Sequence, residues 1–315
     1  MRPRHVLITG GSRGIGLAIA QLFAKTAYRC TLISRSEKDL KDAVASLRPL
    51  PSSRSSTSTR PSTSTTSTPA NTNQSGPETT GGTYSYQHSY ISTSISEPSF
   101  WTLPSTSTST STSISPSHPP FPTYLPKPPR SNHSHPSTID ILINCAGISQ
   151  SSLFTRTSSS DIEQILATNL TSVMIGTRFL LRHSYLRRQS SASDQANGQG
   201  NAKMQSPVII NIASLLGLSG GHGAVAYAAS KAGVLGFTRA LAAEYASHGV
   251  RVNAVVPGYV DTGMTEGLNT EELSKRIPLG RFGTTAEIAS AALFLAENEY
   301  AHNCVLNLDG GLSTV

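Results

Sequence analysis

The stretch Val6-Leu7-Ile8-Thr9-Gly10-Gly11-Ser12-Arg13-Gly14-Ile15-Gly16 decides the fold. A short apolar run ends in a cluster of glycines. Behind it, residues 14–26 place Ile15, Ile19, Leu22 and Phe23 on one helical face. The order strand, glycine turn, helix matters more than the letters. Glycine lets the backbone turn sharply and approach a ligand, and a helix start offers free N–H groups to phosphate oxygens. Glycines also serve plain tight turns. At the first strand-to-helix junction of an alternating chain, Gly10, Gly14 and Gly16 point to a dinucleotide.

Outward from this unit the alternation continues. Arg29–Ser34 reads as a strand, and Glu37–Leu47 as a helix stopped by Pro49 and Pro51. Ile139–Asn144 is a buried-strand pattern, followed by helical patterns at 159–167 and 169–186. Val208–Ala213 is a strand, 225–247 a long helix, Arg251–Val256 a strand, 285–297 a helix and Val305–Leu308 a last strand. Strands alternating with helices imply right-handed crossovers and a parallel sheet. The expected architecture is one doubly wound α/β domain spanning 1–315.

One region breaks the pattern. Residues 51–138 hold 43 Ser or Thr among 88 positions, and 14 of the 19 prolines. Such a composition buries too little apolar area to offset the entropy of ordering, so residues 50–137 are expected to be largely disordered. Tyr90, Ile91 and Ile95 are the exception: 87–96 reads as a third strand, with Phe100 and Trp101 beginning a helix. The rest of that helix is hard to find among the repeats and prolines. Residues 189–205 read as a second, shorter loop insertion.

The net charge of +7 carries no nucleic-acid stripe. Its densest patch, Arg178, Arg182, Arg187 and Arg188, reads either as a solvated helix face or as a landing site for an acidic partner. No run of about 20 apolar residues is present, so no membrane span is expected. Cys30, Cys145 and Cys304 lie far apart with no CxxC pair. That argues against a disulfide framework or a metal site and for a reducing compartment. The first apolar run begins at His5, which leaves no room for a secretory signal, and an intracellular location is expected.

The end of the second strand bears on which nucleotide would bind. An acidic residue there would hold a ribose 2′-hydroxyl and repel a 2′-phosphate. The sequence has Ser34-Arg35-Ser36, with Arg13 in the glycine loop. Two cations favour NADPH; Glu37 nearby weighs against it, and Arg35 is otherwise a solvated loop residue. Tyr227 and Lys231 stand four apart on one helix face, so an ammonium lies beside a phenol. A neighbouring cation stabilises phenolate and makes tyrosine usable as an acid or base. Ser214, at the end of a strand, places a hydroxyl where a carbonyl oxygen could be held.

The set resembles the short-chain dehydrogenase/reductase family. The resemblance is carried by TGGSRGIG at 9–16, NCAG at 144–147, Asn169 in ATNL, Ser214 with Tyr227 and Lys231, and PGYVDT at 257–262. It covers residues 4–48 and 139–315 and implies a Rossmann-type sheet. By this resemblance Tyr227 is the proton donor, Lys231 also holds the nicotinamide ribose, Ser214 orients the carbonyl and Asn169 supports a relay water. Gly10, Ser12, Arg13, Gly14, Ile15, Gly16, Arg35, Asn144, Ala146, Gly147, Pro257, Gly258, Val260 and Thr262 are expected, with Tyr227 and Lys231, to hold the cofactor. The segments 250–265, 277–289 and 305–311 look most like 3-oxoacyl-[acyl-carrier-protein] reductases and mitochondrial carbonyl reductases. That implies reduction of a 3-oxoacyl thioester in fatty acid synthesis, an acidic acyl carrier protein as partner, a homo- or hetero-tetramer, and the mitochondrial matrix, with the cytoplasm as the other location. Two rivals stand beside it: a reductase of free ketones or quinones, and a catalytically silent partner subunit. Ser94 stands where relatives carry an adenine-contacting Asp. His248 and His222 read as surface and loop residues, and Cys145 as structural.

Overall fold

The computed structural model describes residues 2–50, 79–80, 83–84, 87–103, 119–128, 135–150, 152–186 and 205–314. In chain order the elements are β1 (His5–Thr9), α1 (Gly14–Lys25), β2 (Arg29–Ser34), α2 (Glu37–Ala45), β3 (Ser89–Ser92), α3 (Phe121–Tyr124) and β4 (Ile141–Asn144). Then come α4 (Ser159–Leu166), α5 (Ser172–Arg182), β5 (Val208–Ile212), α6 (Leu216–Ser219), α7 (Val225–Tyr245), β6 (Arg251–Pro257), α8 (Thr270–Lys275), α9 (Thr285–Glu297) and β7 (Val305–Leu308). A two-residue antiparallel pair, Thr79–Thr80 with Thr83–Tyr84, forms a separate small sheet.

The seven strands form one sheet in the order β3-β2-β1-β4-β5-β6-β7, and every pairing is parallel. This is the doubly wound arrangement the alternation predicts. The order reverses between β1 and β4, and ligands of such sheets bind outside the carboxyl ends of the strands at that reversal. β1 shows why its residues suit a central strand. Val6 and Ile8 enter one core and Leu7 the other, so both faces are covered.

The two cores differ. Beneath α1 and α9, Ile19, Ala20, Phe23, Ile288, Ala292 and Leu295 pack on the sheet, small residues letting the helices approach closely. The opposite face is closed by parts of the long insertion. Its strand β3 pairs with β2, and a 3₁₀ turn, Pro98–Trp101, delivers Phe100 and Trp101 to the core. Phe121 on α3 stacks on Trp101 with ring centroids 5.4 Å apart, and Phe179 and Tyr185 complete the cluster. The Trp101 indole N–H donates to the Ile95 carbonyl at 3.0 Å. Gly176 on α5 leaves room for the ring, since a Cβ there would lie 2.8 Å from Trp101 Cζ2. The strand at Ser89–Ser92 falls within 87–96, the exception the sequence offers in this span, and 97–103, 119–128 and 135–137 of the span also take places in the fold. The physical reason is six buried apolar side chains, Ile91, Ile95, Phe100, Trp101, Phe121 and Leu125, that outweigh their polar surroundings. The remainder of that span, Arg187 and Arg188 of the basic patch, and 189–204 of the shorter insertion lie outside the described residues.

Arg29 ties two parts of the insertion together. Its guanidinium donates to the carbonyls of Gln87 at 3.2 Å and Pro136 at 2.7 Å, so the backbone ahead of β3 and the backbone ahead of β4 meet at one side chain. Next to it, His5 is wholly buried between Thr138 O and Thr31 Oγ1. No helix among the described residues is long and apolar enough to cross a membrane.

Candidate active site

The glycine loop is built by close approach. Gly10 has φ +70°, and a Cβ on it would fall 2.7 Å from Ala146 Cα, so the loops after β1 and β4 touch. A Cβ on Gly16 would lie 2.2 Å from the Gly10 carbonyl oxygen, which is what brings α1 down onto the turn. Only glycine meets both demands. The Gly10 N–H donates to Ile33 O at 2.8 Å, and Ser12 Oγ donates to Ser34 Oγ at 2.9 Å, fastening the loop to the end of β2.

Beside this loop lies a cleft of about 560 Å³ at the strand-order reversal. Gly10, Ser12, Arg13, Gly14, Ile15, Gly16, Arg35, Ala146, Gly147 and Thr262 line it, all from the set the sequence singles out. Arg13 and Arg35 are the formally charged residues among its described lining, and no carboxylate joins them. Glu37 faces elsewhere, accepting from Lys41 Nζ at 3.0 Å and from the Tyr90 hydroxyl. Thr93 to Ser96 border the Arg35 end with hydroxyls.

Six residues of the cofactor set are not in the cleft lining: Asn144, Pro257, Gly258 and Val260, with Tyr227 and Lys231 of α7. Asn144 is buried and donates to Asn211 Oδ1 at 2.8 Å and to Thr177 Oγ1, because a polar side chain at the end of an internal strand needs partners inside. Asn211 in turn donates to Thr238 on α7, so this chain of amides locks β4, β5 and α7 together. Gly258 is pressed against Asp309, Val260 packs in the α9 core, and Pro257 closes strand β6.

The catalytic candidates converge from β5, α7 and the turn after α4. Lys231 is buried, and its ammonium donates to Ile212 O at 2.9 Å, two residues before Ser214. The same Nζ sits 5.8 Å from the Tyr227 ring centroid and reaches the cleft wall, 3.5 Å from where a Cβ on Gly147 would be. Gly217 makes this possible, since a side chain there would strike the Lys231 backbone at 2.7 Å. Tyr227 is half-buried, and among the described residues its hydroxyl has no partner. Ser214 Oγ accepts from the Leu216 N–H at 3.2 Å, which leaves its own proton for a ligand.

Asn169 lies in a π-helical turn, Ala167–Thr171, between α4 and α5. Its amide oxygen accepts from the Ile148 N–H and its nitrogen donates to Ile148 O, both at 2.9 Å, and to Ser230 Oγ at 3.1 Å. Both amide hydrogens are spent, so the side chain braces the loop after β4. Cys145 also lines the cleft, and burial pushes its thiol up to about 11 against the pull of Lys231. It is therefore a neutral thiol near pH 7. Gln150 and Gln164, which no sequence motif marks, also lie at or beside the site, with Thr168 of ATNL and Gly263 and Met264 of the 250–265 segment.

A family model described as short chain dehydrogenase matches residues 4–69, and one described as enoyl-(acyl carrier protein) reductase matches residues 131–313. The human protein named 3-oxoacyl-[acyl-carrier-protein] reductase is 32% identical over 98% of this chain and 97% of its own length. The chain belongs to the short-chain dehydrogenase/reductase family. Within that family, zebrafish (Danio rerio) carbonyl reductase family member 4 is 41% identical over 56% of the chain and 66% of its own length. A putative 2-deoxy-d-gluconate 3-dehydrogenase from Agrobacterium tumefaciens, solved with bound NADP, aligns over 100% of the chain and 98% of its own, with TM-score 0.65 and 25% identity. Membership makes this chain an oxidoreductase with a nicotinamide cofactor, and the 560 Å³ cleft with its glycine cradle suits one.

Proposed function

We propose that the protein reduces the ketone of a 3-oxoacyl thioester with NADPH, the thioester carried by an acidic acyl carrier protein. The observation that supports it most is the charge of the cleft: Arg13 and Arg35 line it, no described carboxylate does, and Glu37 is engaged elsewhere. A 2′-phosphate finds two cations there, whereas the carboxylate that would hold a 2′-hydroxyl is missing. When bound, the dinucleotide supplies the hydride. Tyr227 then gives its phenolic proton to the oxygen of the reduced carbonyl. Lys231, in reach of both the phenol and the cleft wall, favours the phenolate that remains. Ser214 donates its free proton to the same carbonyl oxygen and fixes its place.

Apolar side chains support a lipid-like substrate. Phe154, Leu218 and Met264 are exposed on the segments that follow β4, β5 and β6, all at the carboxyl edge of the sheet. Exposed apolar groups gathered at one edge mark a binding surface more often than chance. Under this reading the assembly is a tetramer of like or related subunits and the compartment the mitochondrial matrix. The second reading, a reductase of free ketones or quinones, draws on the likeness to carbonyl reductase family member 4.

The test is oxidation of NADPH and NADH by the purified protein with a 3-oxoacyl thioester beside a simple ketone. Rapid NADPH use with the thioester supports the proposal. Equal efficiency on both carbonyls moves the protein to the second reading, and preference for NADH removes the role given to Arg35.

A further inference from the structure

Helix α7 begins without a cap of its own. Ala224 holds the N-cap position, and no local side chain accepts from the first turn. The first N–H groups of any helix lack partners inside it. Here the partner comes from far along the chain. The carboxamide oxygen of Gln150 accepts from the Ala226 N–H at 2.8 Å and from the Tyr227 N–H at 3.4 Å. Its nitrogen donates to Ser152 O at 2.7 Å and Thr157 Oγ1 at 3.2 Å. One side chain therefore joins the loop after β4 to the very turn of α7 that carries Tyr227.

We infer that Gln150 is a positioning residue, setting the Tyr227 phenol against the cleft by capping α7 from the loop that forms the cleft wall. The inference rests on the reading of Tyr227 as proton donor. The loop is held on both sides of this contact. Asn169 brackets Ile148, two residues before Gln150, and Cys145 to Ser149 line the cleft. The position of the cleft wall is thus passed directly to the backbone of Tyr227. A carboxamide suits the place because it accepts on one side and donates on the other. Alanine does neither, and glutamate keeps the accepting half. Small misplacements of a reacting group are costly, about 10²-fold for 1 Å.

The experiment compares the full-length protein with Gln150→Ala and Gln150→Glu. Three quantities are measured: NADPH binding by fluorescence, kcat and KM per NADPH-binding site, and amide hydrogen exchange across 225–231. The alanine variant is expected to bind NADPH as the wild type does, to lose about tenfold or more in kcat, and to exchange faster at the first turn of α7. The glutamate variant is expected to recover much of the kcat and the protection. A lower melting temperature with kcat per binding site unchanged would assign Gln150 a structural part only and overturn the inference. If the alanine variant does not fold, failure of the glutamate variant to keep both kcat and protection overturns it equally. A wild-type protein that binds NADPH but turns over no carbonyl would remove Tyr227 as donor, whereas unchanged exchange in the alanine variant would remove the tie itself.

Discussion

Two regions of the molecule bury side chains for opposite reasons. Between β4, β5 and α7 the buried groups are polar, and each finds a partner: Asn144 with Asn211, Asn211 with Thr238, Asn169 with Ile148 and Ser230, Lys231 with Ile212 O. On the insertion side the buried groups are aromatic rings in edge and stacked contacts, with the Trp101 indole donating to Ile95 O and the Tyr185 hydroxyl to Leu125 O. Satisfied polar networks fix geometry but add little net stability, because each bond replaces one to water. Buried rings contribute by area and are tolerant of exact angle. The first region should govern rate and the second should govern stability.

The largest expected effect tests the first half of that division. Tyr227→Phe should lower turnover about 10²- to 10⁴-fold, with NADPH binding and the unfolding midpoint unchanged. Steady-state kinetics and a thermal melt on one preparation check it, and a fall in both rate and midpoint would break the contrast. Trp101→Ala is the mirror experiment. It should cost about 3–5 kcal/mol of stability, read by urea unfolding, while kcat at low temperature stays near wild type. A large loss of kcat in the folded variant would show that the aromatic plug also shapes the site.

Arg35→Ala should weaken NADPH binding about 10- to 100-fold, the worth of a charged hydrogen bond, and leave NADH binding alone. Fluorescence titration with both nucleotides decides it. The smallest effect concerns pH at the seam where the insertion rejoins the sheet. Burial, then the charges of Arg29 and Arg2, hold His5 well below its ordinary value, while its bond to Thr138 pulls the other way. Burial lowers His88 as well. In the unfolded chain these imidazoles titrate near about 6.5. Above that pH both states are neutral and the full stability is present. As pH falls below it, the unfolded chain takes up protons that the folded protein refuses, so stability declines until the lowered folded values are passed. Urea midpoints from pH 7.5 to 5 should fall, and a flat profile would show that the fold does not hold His5 and His88 below their ordinary values.

Glu287 shows why not every shifted group belongs in this accounting. Arg281 and the N–H of Thr284 hold its carboxylate down to about 2, yet the pair is exposed and solvent screens it. Its part is local: with Thr284 it forms the capping box that starts α9.

What the sequence determined by itself is the set of features that repeat over a few residues. The alternation of strands and helices and the Tyr227–Lys231 spacing follow from backbone periods of two and 3.6, and the turn at Gly10 to Gly16 from the freedom of glycine. Such periods are properties of the chain before it folds. The tertiary structure decided which groups meet across long separations. It turned Asn144 inward, spent the Asn169 amide on Ile148, kept Val260 in the core and set Gln150 over the start of α7. It also made a core face of Phe100, Trp101 and Phe121, rings scattered through a stretch whose average composition argues for no core at all. Composition averages over neighbours in sequence, whereas burial depends on neighbours in space.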